Sequence, residues 1–234
     1  MKYGVLAFGD SITNGGGELQ WGVALQSWAL WTARALGLPY TSYALDGAGA
    51  ADVAGRQIAD FRERSADPGA RYDVGALYVG ANDVRALDWN SAAFERDFRE
   101  ALGFVAERSD RALAVTIPRA LGVPPAGAKV DQANAIVEAA ARDTGALVVD
   151  LSEFGGRRYV MADHVHPTAF GQIAIACKAL EVLAADGLEP RADPWSMVTW
   201  EETRLGRLRG DLTYAWRATK ERAKALRNVP HWSL

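Results

Sequence analysis

The fold of this chain is set by Val5-Leu6-Ala7-Phe8-Gly9-Asp10-Ser11, an apolar run that ends in glycine and two polar residues. Four consecutive apolar residues before a turn predict a short strand that is buried on both faces. Strands of that kind belong to parallel sheets covered by helices, in which ligands bind beyond the carboxyl ends of the strands. The polar residues of this turn are therefore the first candidates for a functional site.

Strand-like and helical patterns alternate along the first 189 residues. Further strands are predicted near residues 40–45, 74–79, 113–117 and 147–149. Helices are predicted near residues 20–36, 50–64, 91–107, 129–144 and 168–186. Ser91 is the expected N-cap of the third helix, and Gly145 is placed to end the fourth. This order predicts an α/β domain over residues 1–189, with a doubly wound, five-stranded parallel sheet.

Composition excludes several classes of protein. The 234 residues carry 26 Lys and Arg against 29 Asp and Glu, so a net charge of −3 gives no reason to expect nucleic acid as a partner. The single cysteine, Cys177, excludes an internal disulfide and any multi-cysteine metal site. No apolar run approaches the roughly 18–20 residues that span a bilayer, so we expect no membrane insertion and a cytoplasmic location.

Residues 190–234 differ from the rest and are predicted to form a mostly helical C-terminal extension. They carry nine Lys and Arg against five acids, and four of the eight tryptophans. An apolar stripe at helical spacing comprises Leu205, Leu208, Leu212, Ala215, Thr219, Ala223 and Leu226. Packing on the body is the favoured interpretation, a homodimer contact is the second, and nucleic-acid binding by the basic face is the third.

Polar residues follow the predicted strands at one edge of the sheet. Ser11 follows the first strand, Gly47 the second and Asn82 the third, while Asp163 and His166 follow the fifth. A hydroxyl, a glycine turn, an amide and a carboxylate–imidazole pair are the components of acyl transfer. His164, His166 and His231 are the three histidines, and His166 is the favoured base because Asp163 precedes it by three residues.

Four blocks of sequence resemble the GDSL family of serine hydrolases, also called SGNH hydrolases. The blocks are Gly9-Asp10-Ser11-Ile12, Ala44–Val53, Gly80-Ala81-Asn82-Asp83 and Asp163-His164-Val165-His166-Pro167. Their order and wide spacing also match, and the similarity covers about residues 3–186. One departure is Ser42, which stands where the family often has an asparagine before the glycine of the second block.

The resemblance implies a flavodoxin-like, three-layer α/β/α sandwich and the hydrolysis of a small-molecule ester. It implies that Ser11 is the nucleophile, that His166 is the general base and then acid, and that Asp163 orients His166. It also implies an oxyanion hole formed by the N–H groups of Ser11 and Gly47 and the side chain of Asn82. No cofactor or metal is implied, because Ser, His and Asp suffice.

Several alternatives stay open at the level of sequence. Gly49 is an alternative to Gly47, and Asp10 is interpreted as a structural carboxylate. Trp21 and Trp89 are candidate walls of a substrate pocket, and short acyl, sugar O-acetyl and lipid-type esters all remain candidate substrates. The rival interpretation is a non-catalytic ligand-binding or interaction module on the same fold.

Overall fold

A five-stranded parallel sheet forms the centre of the protein, whose computed structural model describes residues 3–18, 20, 23–65, 67, 69–200 and 203–227. The strands are β1 (Val5–Gly9), β2 (Tyr40–Ser42), β3 (Tyr72–Tyr78), β4 (Ser109–Val115) and β5 (Leu147–Val149). All five residues of β1 are buried, which explains why its sequence is apolar without alternation. The sheet and its parallel pairing confirm the predicted fold class.

Helices cover both faces of the sheet. The helices are α1 (Ser11–Asn14), α2 (Trp28–Leu36), α3 (Ala50–Asp52), α4 (Ile58–Arg64), α5 (Ala81–Arg85), α6 (Ser91–Glu107), α7 (Ala128–Thr144), α8 (Ala169–Ala185) and α9 (Arg204–Arg227). Helices α2 and α8 pack together, while α3, α6 and α7 form a second group that also contacts β3 and β4. The result is the three-layer sandwich that the resemblance implied.

The strand order β2-β1-β3-β4-β5 places a switch point between β1 and β3. The chain leaves β1 toward β2 on one side and returns to β3 on the other, so the loops after β1 and β3 diverge and leave a crevice. Gly9, the last residue of β1, is in register with Tyr78, the last residue of β3. Ser11 and Asn82 therefore emerge side by side at this crevice.

Two helix starts differ from the sequence prediction. The helix expected from about residue 20 begins at Trp28, where the Ser27 side chain accepts a hydrogen bond from the Ala29 N–H. Asn90, rather than Ser91, caps α6 by accepting from the Ala93 N–H. Both asparagine and serine suit this position, and local sequence does not decide between neighbours. Gly145 ends α7 in the left-handed conformation, as predicted.

The helix predicted over residues 50–64 contains a wide turn. Val53–Gln57 adopts π-helical geometry between α3 and α4, and the side chain of Gln57 is fully buried. An inserted π turn rotates the following residues relative to an uninterrupted α-helix, and such turns are frequent at functional sites. Here the rotation accompanies the approach of Gln57 to the end of β1.

The C-terminal extension has two parts. Trp195 and Trp200 pack on Phe170 with ring centroids 5.6 and 4.9 Å apart, so the segment before α9 joins the body. Leu205 and Leu212 on α9 are instead exposed. The expectation that the apolar stripe packs on the body is therefore wrong for these residues. Within the described ranges, no helix is long and apolar enough to cross a membrane.

Candidate active site

Ser11 stands on a sharp turn at the end of β1. Gly9 has φ of +152°, and a Cβ atom there would overlap the carbonyl of Tyr78, so only glycine fits the exit from the strand. Asp10 caps α1 by accepting a hydrogen bond of 2.9 Å from the Ile12 N–H. The turn directs Ser11 into the crevice, where its side chain lines an open cavity.

Two buried glutamines fix this turn from opposite sides. The Gln57 side chain accepts from the Gly9 N–H at 3.0 Å and donates to the Gly9 carbonyl at 2.8 Å. The Gln172 amide donates to the carbonyls of Ile12 and Gly16 at 2.9 and 3.0 Å, and its oxygen accepts from the Trp28 N–H. Since both glutamines are fully buried, these bonds satisfy amide groups that would otherwise be orphaned. They hold the backbone on both sides of Ser11.

The loop before α8 carries the imidazole and its carboxylate. His164 has φ of +55°, a left-handed conformation that turns the chain between Asp163 and His166. The backbone of the loop is held by the Met161 N–H, which donates to the His166 carbonyl at 2.9 Å. His164 itself is exposed, while His166 faces Ser11.

Ser11, His166 and Asp163 form a continuous hydrogen-bonded series. Ser11 Oγ lies 3.0 Å from His166 Nε2, and His166 Nδ1 lies 2.7 Å from Asp163 Oδ2. Asp163 Oδ1 also accepts from the backbone N–H groups of Val165 and His166. At these two distances an imidazole can accept the proton of the serine hydroxyl, and the carboxylate can hold the imidazole in the required orientation.

The titration of the pair follows from these contacts. The hydrogen bond with Asp163 raises the pKa of His166 above its ordinary value, although partial burial opposes the shift. Burial acts to raise the pKa of Asp163, but the hydrogen bonds from His166 and Val165 outweigh it and the pKa is lowered. The carboxylate therefore stays ionised beside the imidazole and favours its protonated form.

Asp10 is a further carboxyl near the imidazole and, unlike Asp163, it is fully buried. Its Oδ2 atom has no hydrogen-bond partner among the described residues. Burial raises its pKa from 3.8 to about 7, while the hydrogen bond from the Ile12 N–H and the proximity of His166 partly oppose the shift. This carboxyl is structural in its contacts, yet it is electrostatically coupled to His166.

Three N–H donors border the same cavity as Ser11 Oγ. Asn82 donates one amide hydrogen to the Ala48 carbonyl at 3.0 Å, which fixes its orientation and leaves the other hydrogen available. In the described part of the chain, no group accepts from the backbone N–H of Ser11 or of Gly47. Gly49 differs, because its N–H donates to Asp52 at 2.8 Å. This contact favours Gly47 over Gly49 as a donor to a ligand.

The cavity has a volume of about 380 Å³ and is open to solvent. It is lined by Ser11, Gly16, Gly17, Asp46, Gly47, Asn82, Met161 and His166. Trp89 is not among its described lining residues, because its ring packs on Phe94 at 5.3 Å and its N–H donates to Gln132. Trp21, the other tryptophan expected there, lies outside the described residues, as does His231. The described residues contain no group of three or more metal-ligating side chains.

The site brings together five of the residues predicted from sequence: Ser11, Gly47, Asn82, Asp163 and His166. Two residues that the sequence did not indicate are Gln57 and Gln172, whose amides hold the turn around Ser11. The available signal was a polar residue at the inward position of a helix. Gln172 lies between Phe170 and Ile173, which are both fully buried.

A parallel α/β sandwich with a Ser–His–Asp series at its switch point defines a class of hydrolytic enzymes. The sequence profile of the GDSL-like lipase/acylhydrolase family matches residues 7–173, which is well over half of the chain. The protein therefore belongs to the GDSL-like lipase/acylhydrolase family, and it is a carboxylic ester hydrolase. A comparison with curated proteins finds no match.

Solved structures share the fold at low sequence identity. A catalytic mutant of Axe2, an acetylxylan esterase from Geobacillus stearothermophilus, is 20% identical with a TM-score of 0.61, covering 78% of this chain and 96% of that one. LAE5, an alpha/beta hydrolase enzyme from the metagenome of Lake Arreo, Spain, is 21% identical with a TM-score of 0.59, covering 77% and 94%. A protein described as a GDSL-like lipase from Parabacteroides merdae is 18% identical with a TM-score of 0.60, covering 80% and 97%. These likenesses bear on the fold alone.

Proposed function

We propose that the protein hydrolyses short-chain carboxylic esters in two steps, through an acyl intermediate on Ser11. The observation that carries the proposal is the hydrogen-bonded series from Ser11 Oγ through His166 to Asp163. A neutral His166 accepts the Ser11 proton on Nε2 as Oγ attacks the carbonyl carbon of the ester. Asp163 accepts from Nδ1–H and stabilises the imidazolium that forms.

The remaining steps use the same groups in reverse. The tetrahedral adduct collapses, the bond to the alcohol oxygen breaks, and His166 gives its proton to the departing alcohol. A water molecule then attacks the acyl group on Ser11 and gives a proton to His166. Collapse of the second adduct releases the carboxylic acid and returns the proton to Ser11 Oγ.

The N–H groups of Ser11 and Gly47 and the free amide hydrogen of Asn82 are proposed to bind the oxyanion of each tetrahedral adduct. Their support is that all three residues line the cavity into which Ser11 points. Donors fixed before the reaction stabilise developing charge without reorganisation, and one such donor typically accounts for about 3–4 kcal/mol of the barrier. The bond from Asn82 to the Ala48 carbonyl supplies the fixed orientation.

We propose a short acyl group as the acid part of the substrate. The cavity around Ser11 is open to solvent, and three of its lining residues are the glycines at positions 16, 17 and 47. An O-acetyl group on a larger alcohol, such as a sugar, would place the small acyl part at Ser11 and leave the alcohol in solvent.

Hydrolysis of p-nitrophenyl acetate, butyrate and octanoate by the wild type and by Ser11→Ala tests the proposal. We expect turnover that falls with acyl length and is lost in Ser11→Ala. Ser91→Ala, the same substitution at the exposed first residue of α6, should keep it. Absence of Ser11-dependent turnover on these esters and on an O-acetylated sugar would favour a ligand-binding module instead.

A further inference from the structure

The outer face of α9 carries an apolar stripe that none of the described residues covers. Leu205, Leu208, Leu212 and Trp216 are exposed by 77, 56, 65 and 64%. At about 100° per residue these positions fall on one face of the helix. Four large apolar side chains on one contiguous face form a patch of the kind that marks an interaction surface.

The opposite face of the same helix is attached to the body. Asp211 pairs with Arg157 and Arg217 pairs with Glu18, while the Arg157 guanidinium lies 5.5 Å from the centre of the Tyr214 ring. Gly206, Gly210 and Tyr214 are half-buried and line the cleft beneath the helix. These contacts turn the stripe away from the body, so the helix cannot bury the stripe by rolling inward.

Basic side chains border the stripe on both sides. Arg204 and Arg222 project on one flank and Arg209 and Lys220 on the other, at helical spacing, and all four are exposed. The two acids of α9 are already paired, Asp211 with Arg157 and Glu221 with Lys224. With eight Lys and Arg against two acids, α9 is strongly positive although the whole chain has a net charge of −3.

We infer that α9 is an interfacial helix that binds the surface of an anionic phospholipid bilayer. Leucine and tryptophan on one face with flanking cations is the pattern by which a helix lies in a membrane interface without crossing it. The cations would lie level with the anionic headgroups, while the stripe would enter the boundary of the acyl chains. This inference goes beyond the proposed esterase activity and does not depend on it.

The positive charge of α9 favours an anionic bilayer over a second copy of this chain as the partner of the stripe. Two α9 helices packed stripe to stripe would bring Arg204, Arg209, Lys220 and Arg222 of one copy against the same cations of the other. Like charges across such a seam destabilise pairing. An anionic surface instead complements all four side chains at once.

Attachment at α9 would also hold the active site beside the membrane. Glu18, which pairs with Arg217, directly follows Gly17 on the rim of the Ser11 cavity. Met161 lines both that cavity and the cleft beneath α9. The helix that carries the stripe is therefore joined to the wall of the active site itself.

Co-sedimentation of the full-length protein with vesicles tests the inference. The vesicles contain phosphatidylcholine with one quarter phosphatidylglycerol, or phosphatidylcholine alone. We expect binding to the anionic vesicles, at least about tenfold weaker binding to the neutral ones, and a similar weakening between about 0.05 M and about 0.5 M salt. The double variant Leu208→Glu/Leu212→Glu should weaken binding by about tenfold or more. Leu87→Glu, which makes the same change at an exposed leucine outside α9, should not.

Three results would overturn the inference. The wild type could fail to bind anionic vesicles, or Leu87→Glu could lose as much binding as the double variant. Analytical ultracentrifugation could also show a wild-type dimer that the double variant dissociates, without vesicle binding, which would assign the stripe to a second copy. Circular dichroism and p-nitrophenyl acetate turnover of each variant establish that a loss of vesicle binding is not a loss of fold.

Discussion

Replacing Asp10 by asparagine should change how the stability of the protein depends on pH. Asp10 is fully buried, one oxygen accepts from the Ile12 N–H, and the other has no partner among the described residues. Burial raises its pKa from 3.8 to about 7. Asparagine has the same shape and keeps an acceptor for Ile12, but it does not ionise.

The sign and size of this change in stability with pH follow from proton linkage. Between pH 3.8 and about 7 the folded state holds the Asp10 proton that the unfolded state releases, so stability falls as pH rises. Each pKa unit corresponds to about 1.4 kcal/mol, which gives a loss of about 3 kcal/mol between pH 5 and pH 8. Asp10→Asn does not have this loss. Its unfolding free energy should therefore rise by about 3 kcal/mol relative to that of the wild type between pH 5 and pH 8.

Urea unfolding at pH 5, 6, 7 and 8 measures the effect as the difference in unfolding free energy between Asp10→Asn and the wild type. Asp88→Asn, which makes the same substitution at an exposed aspartate, is the matched control. A difference between Asp10→Asn and wild type that stays constant from pH 5 to pH 8 would refute the reasoning. Any pH-independent effect of the asparagine amide on stability is the same at every pH, so it does not contribute to the change of this difference with pH.

Three further changes test the site. Asn82→Ala should lower kcat by about 10²–10³-fold with a small change in KM, because it removes the proposed oxyanion donor, which acts mainly in the transition state. Steady-state kinetics measure both constants. Asp163→Asn should lower kcat by about 10⁴-fold, and it should move the acid limb of the pH–rate profile downward because the pKa of His166 is no longer raised. Gly171→Ala should lower both the melting temperature and activity, because the new methyl would overlap the Tyr159 carbonyl next to the loop of His166; an unchanged melting temperature would contradict this.

The sequence was sufficient to predict the parallel sheet and the residues that lie together at its carboxyl edge. Strands that are buried on both faces have unbroken apolar sequences, and β1 is the clearest example. Parallel strands end at one edge, so Ser11, Asn82 and His166 could be placed together without any knowledge of side-chain geometry. The order of the strands predicts that these residues lie close together, whereas the distance of 3.0 Å from Ser11 Oγ to His166 Nε2 comes from the structure.

The residues that support the turn could not be found in this way. Gln57 and Gln172 look like ordinary polar residues of a helix, and their burial depends on packing between elements far apart in the chain. The π turn that accompanies the inward placement of Gln57 has no marker in the local sequence. The orientation of α9 was also unpredictable, because the ion pairs of Arg157 and Glu18 with that helix join distant segments.

The central claim is that Ser11 is a nucleophile activated by His166. Reaction of the full-length protein with a fluorophosphonate probe, followed by peptide mass spectrometry, tests it most directly. The account predicts one adduct, on Ser11, with labelling that is lost in Ser11→Ala and slowed strongly in His166→Ala. An adduct on a different residue, or no adduct on a correctly folded wild type, would contradict it.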